Sequence, residues 1–503
     1  MTALAPTGGP IREETPVRLA AYLAIGSVLG GLLAGWLVAD GKPLVVLGLL
    51  AAFLPVLLWK RPELGPTVLI VGGLTIEQFG YTIGARSGAA TAKIPLFHGM
   101  SGLHINPADF LLVVLFSIYL IKRDTGVVRA WPRSPTASSV KWLLVAVLYG
   151  LVLGKLHHGT LRFAFTEIRP YVYLAATFYL ASVLITTRSA LRSVLWAIVL
   201  SVSFKAAQGL VLFMSVRHLA VRPDAVLGHE EALFFALFFL LVLSLWLFEV
   251  EGTLRKTATW LVPVVLAGDL ANTRRAAWLV LGVGVLTLLA VTAAVLPRRR
   301  RAVLRILVGL VLFCSVYIPA YWNKTGGLAQ PARAVRSAVA PSSERDQSSD
   351  LYRIQEDENL WFNIREGKVI GKGFGVPINY ALPIEDISDI DPFIKYIPHD
   401  GVLYVLMRMG LFGAIAFWSL LGLAIVYGCR LARAVERELA VVGAVVVAMV
   451  VAYSFEGHTD QGFFYYRVAF VMGTLLGLAE AARRMLPPEG RRLRAEPARE
   501  DAR

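Results

Sequence analysis

Apolar stretches of about 20 residues recur along this chain from one end to the other, and nothing else in the sequence restricts its fold so strongly. A bilayer core about 30 Å thick is crossed by roughly 17–25 residues of helix. Such a segment must satisfy its own backbone hydrogen bonds, because hydrocarbon offers none. Suitable runs lie near 17–38, 43–59, 66–80, 106–121, 140–156, 170–187, 191–215, 231–249, 257–271, 276–296, 303–321, 401–428, 438–455 and 464–482. They predict an all-α integral membrane protein with about 12–14 transmembrane helices. Two of them, 66–80 and 257–271, are short enough to be re-entrant or broken. Composition closes off the alternatives. At 56% hydrophobic and 17% charged, with a mean hydropathy of +0.62, the 503 residues lack the polar surface of a soluble globule. Such a globule averages about 45–50% apolar and about 25% charged. A disordered chain and a disulfide-stapled secreted domain are excluded on the same grounds.

Charge then orients the helices. The chain holds 50 Lys and Arg against 35 Asp and Glu, a formal net charge of +15. One alternate set of loops carries Lys60 and Arg61; Lys122 and Arg123; Arg255 and Lys256; Arg298 to Arg301; and Arg430 and Arg433. Positive charge resists translocation, so this set is expected inside, together with both termini. The first apolar run, from Val17, is longer than a signal-peptide core of about 7–15 residues and reads as a retained helix. The expected layout is a cytoplasmic tail (1–16), a helical bundle (17–321), an extracytoplasmic loop with short helices (322–399), C-terminal membrane helices (400–482) and a basic cytoplasmic tail (483–503). On this map most of the excess charge sets topology, and nucleic acid is not needed to explain it. Cys314 and Cys429 differ in depth, which argues against a disulfide between them. All eight histidines, at 98, 104, 157, 158, 218, 229, 399 and 458, fall on the outer side.

The long outer loop is the segment most suited to carry function. Residues 340–350 read as flexible, and 351–369 as a helix from the spacing of Leu351, Ile354, Leu360, Trp361 and Ile364. Gly371, Gly373 and Gly375 then end it. Three features stand out. Thr273-Arg274-Arg275 lies at the outer end of a helix, where two arginines could equally be interfacial anchors. Arg353 precedes the stretch Glu356-Asp357-Glu358-Asn359, with the glycine run beyond. His399-Asp400-Gly401 opens a helix that continues to Gly410-Leu411-Phe412-Gly413.

In that order and approximate spacing, these residues resemble the O-antigen ligase/polymerase family of polytopic glycosyltransferases. The resemblance runs from about Leu270 to Leu421; Asp400 stands where that family usually has Asn, and an acid-rich insert, 385–391, precedes His399. It implies transfer of a glycan from a polyprenyl pyrophosphate donor to an acceptor hydroxyl on a lipid, glycan or protein, at the outer face of the cytoplasmic membrane. It also implies a catalytic set of His399, Arg353 and Arg275, with Arg274 beside them and neither cofactor nor metal. The chemistry suits the residue types. A pyrophosphate leaving group needs charge that stays protonated, and Arg offers a planar bidentate fork. An imidazole can take the acceptor proton near neutral pH.

Other signals are weaker. Asp389-Ile390-Asp391 has the form of a metal-binding DxD but reads as a solvated acidic loop, and His157-His158 lacks a spaced carboxylate partner. Gly371 to Gly375 lacks the Lys-Ser/Thr ending of a phosphate loop and reads as a turn. Lys205 and Arg408 lie within spans, Arg408 about 13 Å along the helix from His399. Each could meet a lipid phosphate or pair with a buried acid or carbonyl, and Arg169 is a further phosphate candidate. The competing function is a transporter or flippase for a lipid-linked sugar, which the helix count and in-span charges would suit.

Overall fold

A computed structural model of the chain describes residues 53–486, apart from 79–81, 84–85, 88, 98–104, 125–127, 220–224, 325, 341–343, 368 and 386–392. The expected first two spans up to residue 52, His98, His104, the DxD and the tail beyond 486 lie outside the described residues. The chain divides into two units, Met1–Leu54 and Pro55–Arg503.

The second unit is a bundle of helices: α1 (Gly65–Thr75), α2 (Pro107–Asp124), α3 (Pro135–Leu156), α4 (Leu161–Leu184), α5 (Arg188–Val216), α6 (Glu231–Leu247), α7 (Thr253–Asn272), α8 (Arg275–Val295), α9 (Arg300–Tyr321), α10 (Gln330–Val339), α11 (Glu344–Gly367), α12 (Gly401–Leu431), α13 (Arg437–Thr459) and α14 (Tyr466–Met485). Among the described residues the only strand pairing is a two-residue antiparallel ladder at Thr82–Ile83 and Arg86–Ser87. The all-α membrane class expected from the sequence is thus the observed one. Six helices, α3, α5, α8, α9 with its leading turn, α12 and α13, are long and apolar enough to cross a bilayer. The other long helices, α2, α4, α7, α11 and α14, carry charges that lower their hydropathy, and α6 has only 17 residues.

Of the two short runs, 66–80 yields α1, whose 11 residues rise about 16 Å, half the hydrocarbon thickness. The other extends over polar Thr253–Lys256 into the 20-residue α7, with Pro263 inside it. The stretch expected to be flexible, 340–350, is helical from Glu344 onward.

Helices without a hydrophobic drive between them associate through close packing, which small residues permit. Gly473 and Gly477 on α14 press against Leu174, Thr177 and Phe178 of α4, where any side chain would overlap backbone. Gly428 and Gly443 bring α12 against α13, and Gly268 brings α7 against Ala206 of α5. α6 is buried around its circumference up to its last turn, where Trp246 is exposed, as expected of a helix apolar on all faces.

α12 is broken. Gly410 has φ +61° inside it, and the peptide groups freed there are taken up by the glycine-rich segment. Leu411 N donates to Val369 O, Lys372 N to Met407 O, and Gly373 N to Arg408 O. Gly371, Gly373 and Gly375 all have positive φ, and a Cβ on any of them would strike backbone of α12, α3 or α4. This segment is a close-packed turn driven between helices. Irregular backbone is tolerated within a membrane bundle only where protein satisfies it in this way.

Candidate functional site

The end of the bundle that carries segment 322–399 contains a cavity of about 780 Å³, within the range typical of ligand sites. Its cationic lining comes from distant parts of the chain. α7 ends at Thr273, which takes the left-handed conformation, and two residues later α8 begins at Arg275. This sharp corner places Arg274, Arg275 and the N-terminus of α8 on the cavity, where unpaired peptide N–H groups favour an anion. Gln330 at the start of α10 donates to Leu270 O (2.9 Å) and Asn272 accepts from Leu227 N (2.9 Å), fixing the corner to its neighbours. Arg333 of α10 and Arg353 of α11 also face the cavity. Among the described residues neither Arg274 nor Arg353 has an ion-pair partner within 4 Å, and Arg274 Nε is buried without a hydrogen-bond partner.

One turn along α11 from Arg353, at i+3, stands Glu356. Its Oε2 accepts from His399 N (2.9 Å), and His399 Nδ1 lies 3.2 Å from the same carboxylate. Tyr352 meets the imidazole edge-on at 5.8 Å between ring centres. Burial disfavours the imidazolium, but the hydrogen bond and charge of Glu356, joined by Asp460, outweigh it and raise the His399 pKa. His399 is not itself in the cavity lining; Arg353, which bears on it electrostatically, is. Asp400 caps α12 by accepting from Leu403 N and pairs with His458 Nδ1, both at 2.8 Å. Burial, reinforced by Asp400 and Glu356, pushes the Asp357 carboxyl up to about 6, against the pull of His458 and Arg353.

The remaining residues singled out in the sequence lie elsewhere. Arg408 is fully buried and pairs with Glu167 (2.6 Å) while donating to the carbonyls of Gly373 and Tyr396. It therefore clamps the glycine turn and the segment leading to His399 onto α12. Lys205, 1% exposed, pairs with Glu77 and donates to Gln208 at 2.7 Å. Arg169 pairs with Asp109 (3.5 Å) and lies over the Tyr466 ring. Of the two uses open to Lys205 and Arg408 in the sequence, pairing with buried acids is the observed one. Asn359, part of the acidic/Asn stretch, is buried and ties α11 to Leu382 through two hydrogen bonds.

Three groups escape sequence reasoning. His229 and Asp460 line the cavity and bond at 2.8 Å across 231 positions, a pairing with no local signature. Glu456 lines it too, in the last turn of a helix that is apolar from Leu439 to Ala452. The clustering of histidines on one side of the topology map was the only available hint. Among the described residues, no group of three or more His, Cys, Asp or Glu is arranged to share a metal ion.

Residues 260–418 match the protein-family model described as O-antigen ligase. The match covers the α7–α8 corner, α11, the glycine turn, His399 and the first part of α12. No curated protein matches the chain.

Proposed function

We propose that this chain, a multi-pass membrane protein of the O-antigen ligase/polymerase family by its residues 260–418, moves a glycan from a polyprenyl pyrophosphate to an acceptor hydroxyl at the outer face of the membrane. Arg274, Arg275 and Arg353 hold the pyrophosphate. The acceptor oxygen bonds to the anomeric carbon, and the carbon–oxygen bond to phosphate breaks. The electron pair leaves with the pyrophosphate, whose growing charge the guanidinium groups stabilise. The hydroxyl proton passes to His399, whose partner Glu356 strengthens it as a proton acceptor. No step calls for a metal.

The observation that carries this reading is the convergence of Arg274, Arg275 and Arg353 on one large cavity, with Glu356, the carboxylate that pairs with the His399 imidazole, one helical turn from Arg353. Family membership supports a role in surface polysaccharide assembly. To test it, Arg275, Arg353 and His399 are replaced singly by Ala, and transfer from a lipid pyrophosphate donor is measured at matched protein levels. Each replacement is expected to lower the rate by about 100-fold or more. Wild-type rates in all three would refute the assignment. Movement of the lipid-linked sugar across a bilayer without a covalent product would instead favour a flippase.

A further inference from the structure

The arginines account for only part of the cavity lining. His229, Glu456 and Asp460 line it as well, with Asp350, and a pyrophosphate does not call for three acidic side chains. Glu456 is 1% exposed and its Oε2 has no hydrogen-bond partner. A buried carboxyl oxygen left without a hydrogen-bond partner is costly, whether it accepts as a carboxylate or donates as the acid. The site therefore calls for a hydroxyl or another hydrogen-bonding group from whatever fills the cavity. Arg274 and Arg353 lie in the electrostatic field of Glu456 but form no ion pair with it, so they do not meet that requirement.

His229 adds an orienting feature. Asp460 Oδ2 holds its Nδ1 at 2.8 Å, and Asp460 Oδ1 is itself fixed by Gln461 N at 2.7 Å. The ring is 38% exposed, with Nε2 turned away from the carboxylate. Burial works to raise the Asp460 carboxyl, but the charge and hydrogen bond of His229, with His399 and Arg353, hold it below the usual carboxylate range. Asp460 therefore stays ionised and keeps the ring in place.

The ligand class follows from the mixed lining. The carboxylates repel an anion and the arginines repel a lone ammonium. A neutral group rich in hydroxyls satisfies both, since a hydroxyl donates or accepts as Glu456 and His229 require. We propose that His229 and Glu456 form the acceptor subsite of the cavity and take a neutral, polyhydroxylated sugar. The arginines beside them hold the donor pyrophosphate. This assignment rests on the transfer reading given above.

The test uses full-length protein, the lipid-pyrophosphate-linked glycan that accumulates in a deletion strain as donor, and envelope extract of that strain as titrated acceptor. Undecaprenyl pyrophosphate serves as a separate donor-side binding probe. Glu456→Gln and His229→Gln are expected to raise the acceptor KM about tenfold, with kcat within about threefold and undecaprenyl pyrophosphate binding unchanged. Arg353→Ala is expected to weaken that binding. If Glu456→Gln does not accumulate, His229→Gln carries the test, since its ring is partly exposed. An unchanged acceptor KM in the variants, or a loss of undecaprenyl pyrophosphate binding as large as that of Arg353→Ala, overturns the subsite and leaves the transfer reading standing. A wild-type protein that forms no covalent product from this donor overturns both.

Discussion

At the residue scale, Arg408, Lys205 and Arg467 raise the same physical problem. Each is essentially removed from solvent, and a charge in a membrane interior must be paired or moved to water. Arg408 has Glu167, Lys205 has Glu77, and Arg467 has Glu230 and Glu231 at 2.8 and 2.7 Å. The sequence exposes two of these cations because a charge inside an apolar run is visible. It conceals their partners because those lie in distant parts of the chain; Glu167 and Arg408 are 241 positions apart. Asp357 shows the opposite state, a carboxyl raised to about 6 by burial, with Asp400 and Glu356 adding to the shift. A carboxyl raised in the folded state contributes stability below its unfolded pKa of about 4 and loses it as pH rises through the folded value. Asp357→Asn is therefore expected to melt above wild type at pH values beyond about 6 and level with it near pH 4. Thermal melts of both proteins across that range check the sign, and equal melting temperatures throughout would contradict it.

At the scale of elements, the glycine turn and the broken α12 act as one unit. The turn supplies partners for the peptide groups freed at Gly410, and Arg408 clamps the two together. The sequence signalled a turn, since three alternating glycines suit positive φ. It did not signal that the turn enters the bundle, which depends on α3 offering Gly150 and Gly154 at the point of contact. Gly373→Ala combines a φ of +82° with overlap on Gly154 backbone. It is expected to cost about 3 kcal/mol or more, read as loss of folded protein in detergent. Gly282, in α8, has open space around its Cβ position. Gly282→Ala is expected to be neutral or to stabilise by up to about 1 kcal/mol. If the two substitutions behaved alike, the close packing of the turn would be in error.

At the scale of the whole molecule, orientation is a proposal that rests on the alternation of basic loops. With Cys314 and Cys429 replaced by Ser, Ala381→Cys in the long segment is expected to react in intact cells with a membrane-impermeant thiol reagent. Glu251→Cys, at the other end of the bundle, should react only after permeabilisation. The reverse pattern would invert the topology and remove the cavity from the outer face. By itself the sequence determined that this chain is an all-α membrane protein, and which stretch carries its family likeness. Hydrophobic length and residue order are properties of a linear string, and they suffice for that. Only the tertiary structure decided which charges meet. It joined Arg353 to the α7–α8 arginines in one cavity, set His229 and Glu456 among them, and turned Lys205, Arg169 and Arg408 to internal pairs. A side chain's partner depends on which helix faces are packed together, and a linear pattern does not record that.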